Sequence, residues 1–149
     1  MYKKALVPLD GSKLAECALA HVEGLIHDGA IGEVVLLNVV GLDIPWDEMD
    51  KGIDFGGIRQ GLIETAQRYL AGMEKDLDAK GIKVRAEFVE ANRPAHVITD
   101  YARANGVDLI VLATHGYTGL QKMLLGSVAL KVLHESPVPV LLIRPESCK

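Results

Sequence analysis

The chain has 149 residues, 49% of them hydrophobic and 24% charged, with a formal net charge of −4. This is the length and composition of one globular domain, not of a disordered or fibrous chain, and the acidic balance disfavours a broad nucleic-acid or anionic-membrane surface, which needs clustered Lys and Arg. No segment approaches the roughly 18 consecutive apolar residues of a membrane span, and Met1-Tyr2-Lys3-Lys4 runs directly into a short strand rather than a signal-peptide core, so a soluble cytoplasmic protein is expected.

Ala5-Leu6-Val7-Pro8-Leu9 is the first apolar run, and Asp10-Gly11-Ser12 ends it with a turn residue, a glycine and an N-cap candidate. Leu14, Ala18, Val22 and Leu25 then recur at helical spacing as one buried stripe. Cys17 lies beside that stripe. With no Cys-x-x-Cys and no His/Cys cluster at metal spacing, Cys17 and Cys148 both read as free thiols. The run from Glu33 to Val40 is a second strand, apolar enough to be central, and Asn38 within it needs partners, which places it near the strand's C-terminal end, close to solvent or ligand.

Residues 41–57 form an acidic, glycine-bearing loop far longer than the usual roughly two to six residues, which reads as a lid or a disordered segment. Ile58, Leu62, Ala66, Tyr69, Met73 and Leu77 mark a long amphipathic helix whose stripe is expected to face the sheet, closed by Lys80-Gly81. Ile82 to Glu90 alternates as a half-buried outer strand. Ala91-Asn92-Arg93-Pro94 then turns into a helix with proline at its first position, given an apolar face by Val97, Ile98, Tyr101 and Ala102 and ended by Asn105-Gly106.

Asp108 to Ala113 is a short continuous apolar strand, and it breaks into Thr114-His115-Gly116 before the chain restarts as a helix at Gly126-Ser127. Gly116, Gly119 and Gly126 permit close approach of a ligand to the backbone. The N–H groups around Gly126, Ser127 and Val128 are the unpaired donors of a helix N-terminus, a place suited to phosphate. Val138 to Ile143 is the last strand, and Pro139 within it points to an edge position. The order of patterns implies an α/β fold with a sheet built by right-handed βαβ crossovers.

The stretch from Ala113 to Ser127 resembles the nucleotide-binding signature of the universal stress protein family, which reads Gly, two residues, Gly, nine residues, Gly, Ser or Thr. Gly116, Gly126 and Ser127 match in register, while Ala113 stands where the first glycine is expected. Asn92 occupies a position where the family often has glycine, and Asn is the non-glycine residue that most readily visits left-handed backbone. The resemblance covers the whole chain and implies a Rossmann-like, doubly wound, five-stranded parallel sheet of order 3-2-1-4-5 with helices on both faces, forming one domain over residues 1–149.

It also implies a site for ATP, with Mg²⁺ or Mn²⁺ carried on the phosphates. Pro8, Leu9 and Asp10 match the family's adenosine-contacting region, and Val39 its adenine-contacting valine. Leu112, Ala113, His115 and Gly116 fall where ribose and phosphates are lined, and Gly126, Ser127, Val128 and Ala129 where the phosphates are cradled. By their own chemistry, Asp10 can accept bonds from an adenine amino group or ribose hydroxyls or act only as a helix cap; His115 can donate to a phosphate; and Ser127 is expected to bind phosphate and cap its helix.

There is no Gly-x-x-x-x-Gly-Lys-Ser/Thr and no Gly-x-Gly-x-x-Gly after the first strand, which disfavours a P-loop hydrolase and a dinucleotide oxidoreductase. No catalytic nucleophile or base is evident. Three readings stay open: an ATP-binding regulatory protein of the stress response; a slow ATPase or phosphotransferase; and a dimeric interaction module in which Ala113 has abolished nucleotide binding. A homodimer paired through Val138 to Ile143 is expected, because an unpaired apolar edge is normally covered and many members of the family dimerise through the last strand.

Overall fold

The computed structural model describes residues 1–41, 55–115 and 125–144. Its elements are β1 (Tyr2–Leu9), α1 (Lys13–His27), β2 (Ile31–Val40), α2 (Phe55–Ala79), β3 (Val84–Glu90), α3 (Pro94–Ala104), β4 (Leu109–Ala113), α4 (Ser127–Glu135) and β5 (Val140–Ile143). All five strands are parallel in the order β3-β2-β1-β4-β5, the doubly wound arrangement expected from the sequence. The order reverses between β1 and β4, so a crevice opens beyond their C-terminal ends.

Alternation along the central strands divides the core into two layers. Ala5 and Val7 of β1 and Leu36 of β2 pack with Ala18 and Val22 of α1 and Leu70 and Leu77 of α2. Leu6, Leu37, Ile110 and Leu112 face the other way, against Ile98 and Ala102 of α3 and Val132 of α4. Both faces of β1, β2 and β4 are thereby covered, which is why their runs are almost continuously apolar. Each such Val, Leu or Ile contributes on the order of 1.5–3 kcal/mol of burial.

At the other end of the sheet, Asp108 joins β4 to the start of β1. Its carboxylate accepts from the Lys3 N–H (2.8 Å) and the Lys4 N–H (2.9 Å). Burial acts to raise its pKa, but these backbone donors outweigh it and hold the carboxyl below its ordinary range.

Several boundaries differ from expectation for physical reasons. The long loop was expected over 41–57, yet helix α2 already begins at Phe55, and the remainder, 42–54, lies outside the described residues. The buried stripe of α2 is Ala66, Leu70 and Leu77, whereas Ile58 and Leu62 are 49% and 46% exposed. Arg59 is ion-paired with Glu90, the last residue of β3; the first turns of α2 therefore sit beside the C-terminal end of that strand.

Ile82 precedes β3 instead of opening it and is buried at the C-terminal end of α2, its N–H bonded to the Leu77 carbonyl. Among the described residues no non-glycine residue has positive φ, so the turn at Asn92 does not use left-handed backbone. The free-thiol reading of Cys17 is also corrected: Cys17 is disulfide-bonded, and no described cysteine is free. Its sulfur lies 3.9 Å from the Arg144 carbonyl oxygen, because α1 packs across β4 and β5. No described helix is long and apolar enough to cross a membrane.

Candidate functional site

The turn after β1 is built by three consecutive residues. Gly11 takes φ +86°, a backbone conformation natural to glycine. Ser12 is extended, and its Oγ accepts from the Ala15 N–H at 3.1 Å, so Ser12 is the cap of α1. Asp10 is thus not the helix cap that its position allowed; its Oδ1 accepts from the Ser12 N–H at 2.9 Å and tightens the turn. The carboxylate remains at the crevice wall.

The opposite rim is tied together by Thr114. Its N–H donates to the Ile143 carbonyl (2.9 Å) at the end of β5, and its carbonyl accepts from the Gly126 N–H (2.6 Å) just before α4. Its buried hydroxyl lies 3.0 Å from His115 Nδ1, with the direction of that bond set by the imidazole tautomer. Thr114 therefore places the end of β4 beside the start of α4 and orients His115.

Gly126, and not Ser127, is the N-cap of α4, with φ −67° and ψ 163° and no side-chain cap bond. Ser127 is the first helical residue and is exposed. The expected capping role of Ser127 is accordingly withdrawn, while its hydroxyl stays available to a ligand. The N–H groups of Ser127, Val128 and Ala129 have no acceptor within the helix, as at any helix start.

Between these rims lies a cavity of ≈ 280 Å³. Pro8, Leu9, Asp10, Val39, Leu112, Ala113, His115, Gly126, Ser127, Val128 and Ala129 all line it; Gly116, the remaining expected site residue, lies outside the described residues. The structure adds Ala15, Leu37, Pro94, Ile98 and Thr114 to the wall. Leu37 was recoverable from strand alternation, being two residues before Val39 on the same face. Thr114 carried a weaker signal, a polar residue closing an apolar strand. Ala15, Pro94 and Ile98 needed the packing of α1 and α3 against the sheet. Asn38, expected near ligand, is buried in register with Leu9 and Phe88 and does not line the cavity.

The wall is chemically divided. Leu37, Val39, Ile98 and Leu112 make an apolar slot between sheet and α3, of a kind that suits a flat ring. Asp10 marks one end, and its charge extends beyond the cavity: burial, then the Glu16 carboxylate that accepts from the Tyr69 hydroxyl at 3.1 Å, then Asp10 together raise the Tyr69 pKa. The start of α4, with the positive end of its dipole, marks the other. A flat ring with a hydrogen-bond donor at one end and an anion at the other matches this polarity.

A family model described as the universal stress protein family matches residues 1–144. Universal stress protein MJ0577 of Methanocaldococcus jannaschii is 32% identical, covering 97% of this chain and 96% of its own. Universal stress protein YxiE of Bacillus subtilis is 33% identical over 97% of this chain and its whole length. The structure of MJ0577 superimposes with a TM-score of 0.82, covering 97% and 96% of the two chains at 35% identity. A universal stress protein family structure from Arabidopsis thaliana, with AMP bound, has a TM-score of 0.68 over 95% of this chain and 91% of its own, at 18% identity. The signature around Gly126 and Ser127, the strand order and these matches over nearly the whole chain agree: the protein belongs to the universal stress protein family.

Proposed function

We propose that the protein is an ATP-binding regulatory protein of the cytoplasmic stress response, with the nucleotide held between the ends of β1, β2 and β4 and the start of α4. The observation that carries this reading is the ≈ 280 Å³ cavity whose apolar slot ends at the open N–H groups of Ser127, Val128 and Ala129. Adenine lies between Val39 and Ile98, Asp10 accepts from the adenine amino group or the ribose hydroxyls, and the phosphates run to α4 past His115. The plant relative that holds AMP shares this fold; the assignment to this chain rests on its own cavity.

Ala113 is compatible with this arrangement. It is the last residue of β4, paired in register with Ile143, and its side chain is part of the cavity wall. A methyl group there narrows the cavity without closing it. Mg²⁺ or Mn²⁺ would enter with the phosphates, since among the described residues no three His, Cys, Asp or Glu side chains gather into a metal-binding group.

The function follows from binding rather than turnover. Phosphoryl transfer requires a positioned nucleophile or water and charge stabilisation at the scissile phosphate, and among the described residues of the cavity wall Asp10 and His115 are the only charged or imidazole side chains. Nucleotide occupancy would instead alter the surface around α4 that a partner meets.

A homodimer paired through residues 138–143 belongs to the same reading. The Pro139 and Ile143 carbonyls, flanking and ending β5, accept from the Ile110 and Thr114 N–H groups, so the backbone groups of the alternate residues Val140 and Leu142 point to the open edge. Pro139 lies on the inward set, so its missing N–H does not interrupt that outer row.

Titration calorimetry with ATP and Mg²⁺ tests the binding, with one nucleotide per chain expected and no heat of binding as the contrary result. A phosphate-release assay then separates the regulatory reading from a slow ATPase, since sustained release dependent on the cavity residues would favour the enzyme.

A further inference from the structure

A second, larger cavity of ≈ 510 Å³ lies beside the first, between the start of α3 and the flank of α4. The two share Pro94, Ser127 and Val128, so they meet at the α4 start, where the phosphate chain ends in the reading above. Arg93 and Lys131 stand on its wall, with Glu135 as its single carboxylate.

Some surface cations are ion-paired, while Lys3, Lys13, Arg68 and Lys75, like these two, are in no ion pair among the described residues. Lys4 and Lys83 are both paired with Glu33, Arg59 with Glu90 and Lys80 with Glu23, whereas neither Arg93 nor Lys131 is in an ion pair among the described residues. His96, also on the wall, is turned to Asp100 at 3.3 Å. In a chain of net charge −4, two unpaired cations on one cavity wall, adjoining a phosphate-binding helix start, make a local field suited to more anion than one nucleotide brings. The remaining wall combines apolar Pro94, Ala95 and Val128 with polar Asn92 and Ser127.

We propose that this cavity is a second subsite that receives the far half of a dinucleoside polyphosphate. It rests on the nucleotide reading of the first cavity. The first nucleoside fills the ≈ 280 Å³ slot, the shared rim at Ser127 carries the chain of phosphates across, Arg93 and Lys131 neutralise the distal phosphates, and the second nucleoside lies against Pro94 and Val128. The second cavity is larger than the one assigned to an adenosine, so a second nucleoside and its phosphate fit the space. ATP alone reaches the rim and leaves the second cavity unfilled.

The test is calorimetry on the full chain with ATP and with diadenosine tetraphosphate, both with Mg²⁺, for the parent and for the double variant Arg93→Gln, Lys131→Gln. Diadenosine tetraphosphate should bind the parent at least about 10-fold more tightly than ATP, an advantage of about 1.4 kcal/mol. The double variant should lose that advantage while its ATP affinity stays within about 2-fold. Both substituted side chains are exposed, and a melting temperature equal to the parent's confirms the fold. Equal affinity of the parent for the two ligands, an advantage that survives in the variant, or equal loss of both ligands in the variant would each overturn the second subsite while leaving ATP binding standing. A parent that binds neither ligand would overturn the nucleotide reading and this subsite together.

Discussion

Replacing Gly126 by valine separates the two roles that a glycine at this position can have. At φ −67° and ψ 163° the residue is in extended backbone that valine adopts readily, so the backbone conformation does not require glycine here. Its backbone bonds, N–H to the Thr114 carbonyl and carbonyl to the Leu130 N–H, survive the substitution. Valine is a poorer N-cap than glycine, by up to about 1 kcal/mol, but it also restricts the unfolded chain, which returns about 0.4–1 kcal/mol. The net change in stability should therefore be within about 1 kcal/mol.

Binding should respond far more. A branched side chain at the cavity rim stands in front of the Ser127 and Val128 N–H groups, and each hydrogen bond to a charged group is worth about 1.5–3 kcal/mol. Losing two such bonds predicts a fall in ATP affinity of at least about 100-fold. Calorimetry with ATP and Mg²⁺ measures the affinity and urea unfolding measures the stability. A Gly126→Val variant with parental affinity and parental stability would refute the placement of the phosphates at α4.

Asp10→Ala should weaken ATP by about 10-fold through the lost ribose or adenine contact, read by the same calorimetry; an unchanged Kd would remove Asp10 from the site. Val140→Pro removes an N–H from the open edge of β5 and not from its ladder with β4, so sedimentation should show a monomer where the parent is a dimer at micromolar concentration; a monomeric parent would contradict the edge pairing. Asp108→Ala should cost about 1–3 kcal/mol at neutral pH. The Asp108 carboxyl is held below its ordinary range in the fold, so its contribution is present above the ordinary carboxylate range and is lost as pH falls through the depressed folded value; the gap between parent and variant in urea unfolding should close as pH falls below that value. A gap independent of pH would show that the carboxylate's charge is not what joins β1 to β4.

The parallel α/β class was legible in local patterns, whereas the strand order and most of the first cavity were legible only through the family resemblance carried by Gly116, Gly126 and Ser127. Continuous apolar runs separated by helical stripes imply a covered parallel sheet, and strand C-termini then converge by topology. The position of Pro94 over the crevice, and of Ile98 beside it, depended on how α3 packs, which no local period encodes. The α4 cap was misread because Ser127 has the chemistry of a cap, yet the bond from the Gly126 N–H to Thr114 sets the helix start one residue earlier in the chain. The exposure of Ile58 and Leu62 was hidden because their spacing continues the stripe of α2, and a helical period does not mark that its first turns sit beside the C-terminal end of β3. The second cavity had no motif at all: Arg93 and Lys131 are far apart in sequence and meet only through the contact of α3 with α4.

At 16.1 kDa the protein is suited to amide and methyl NMR, and titration with ATP and Mg²⁺ tests the nucleotide site most directly. Saturable shifts should concentrate at the Ser127, Val128 and Ala129 amides and at the Val39, Ile98 and Leu112 methyls. Absence of saturable shifts, or shifts confined to residues away from the ends of β1, β2 and β4, would contradict the site.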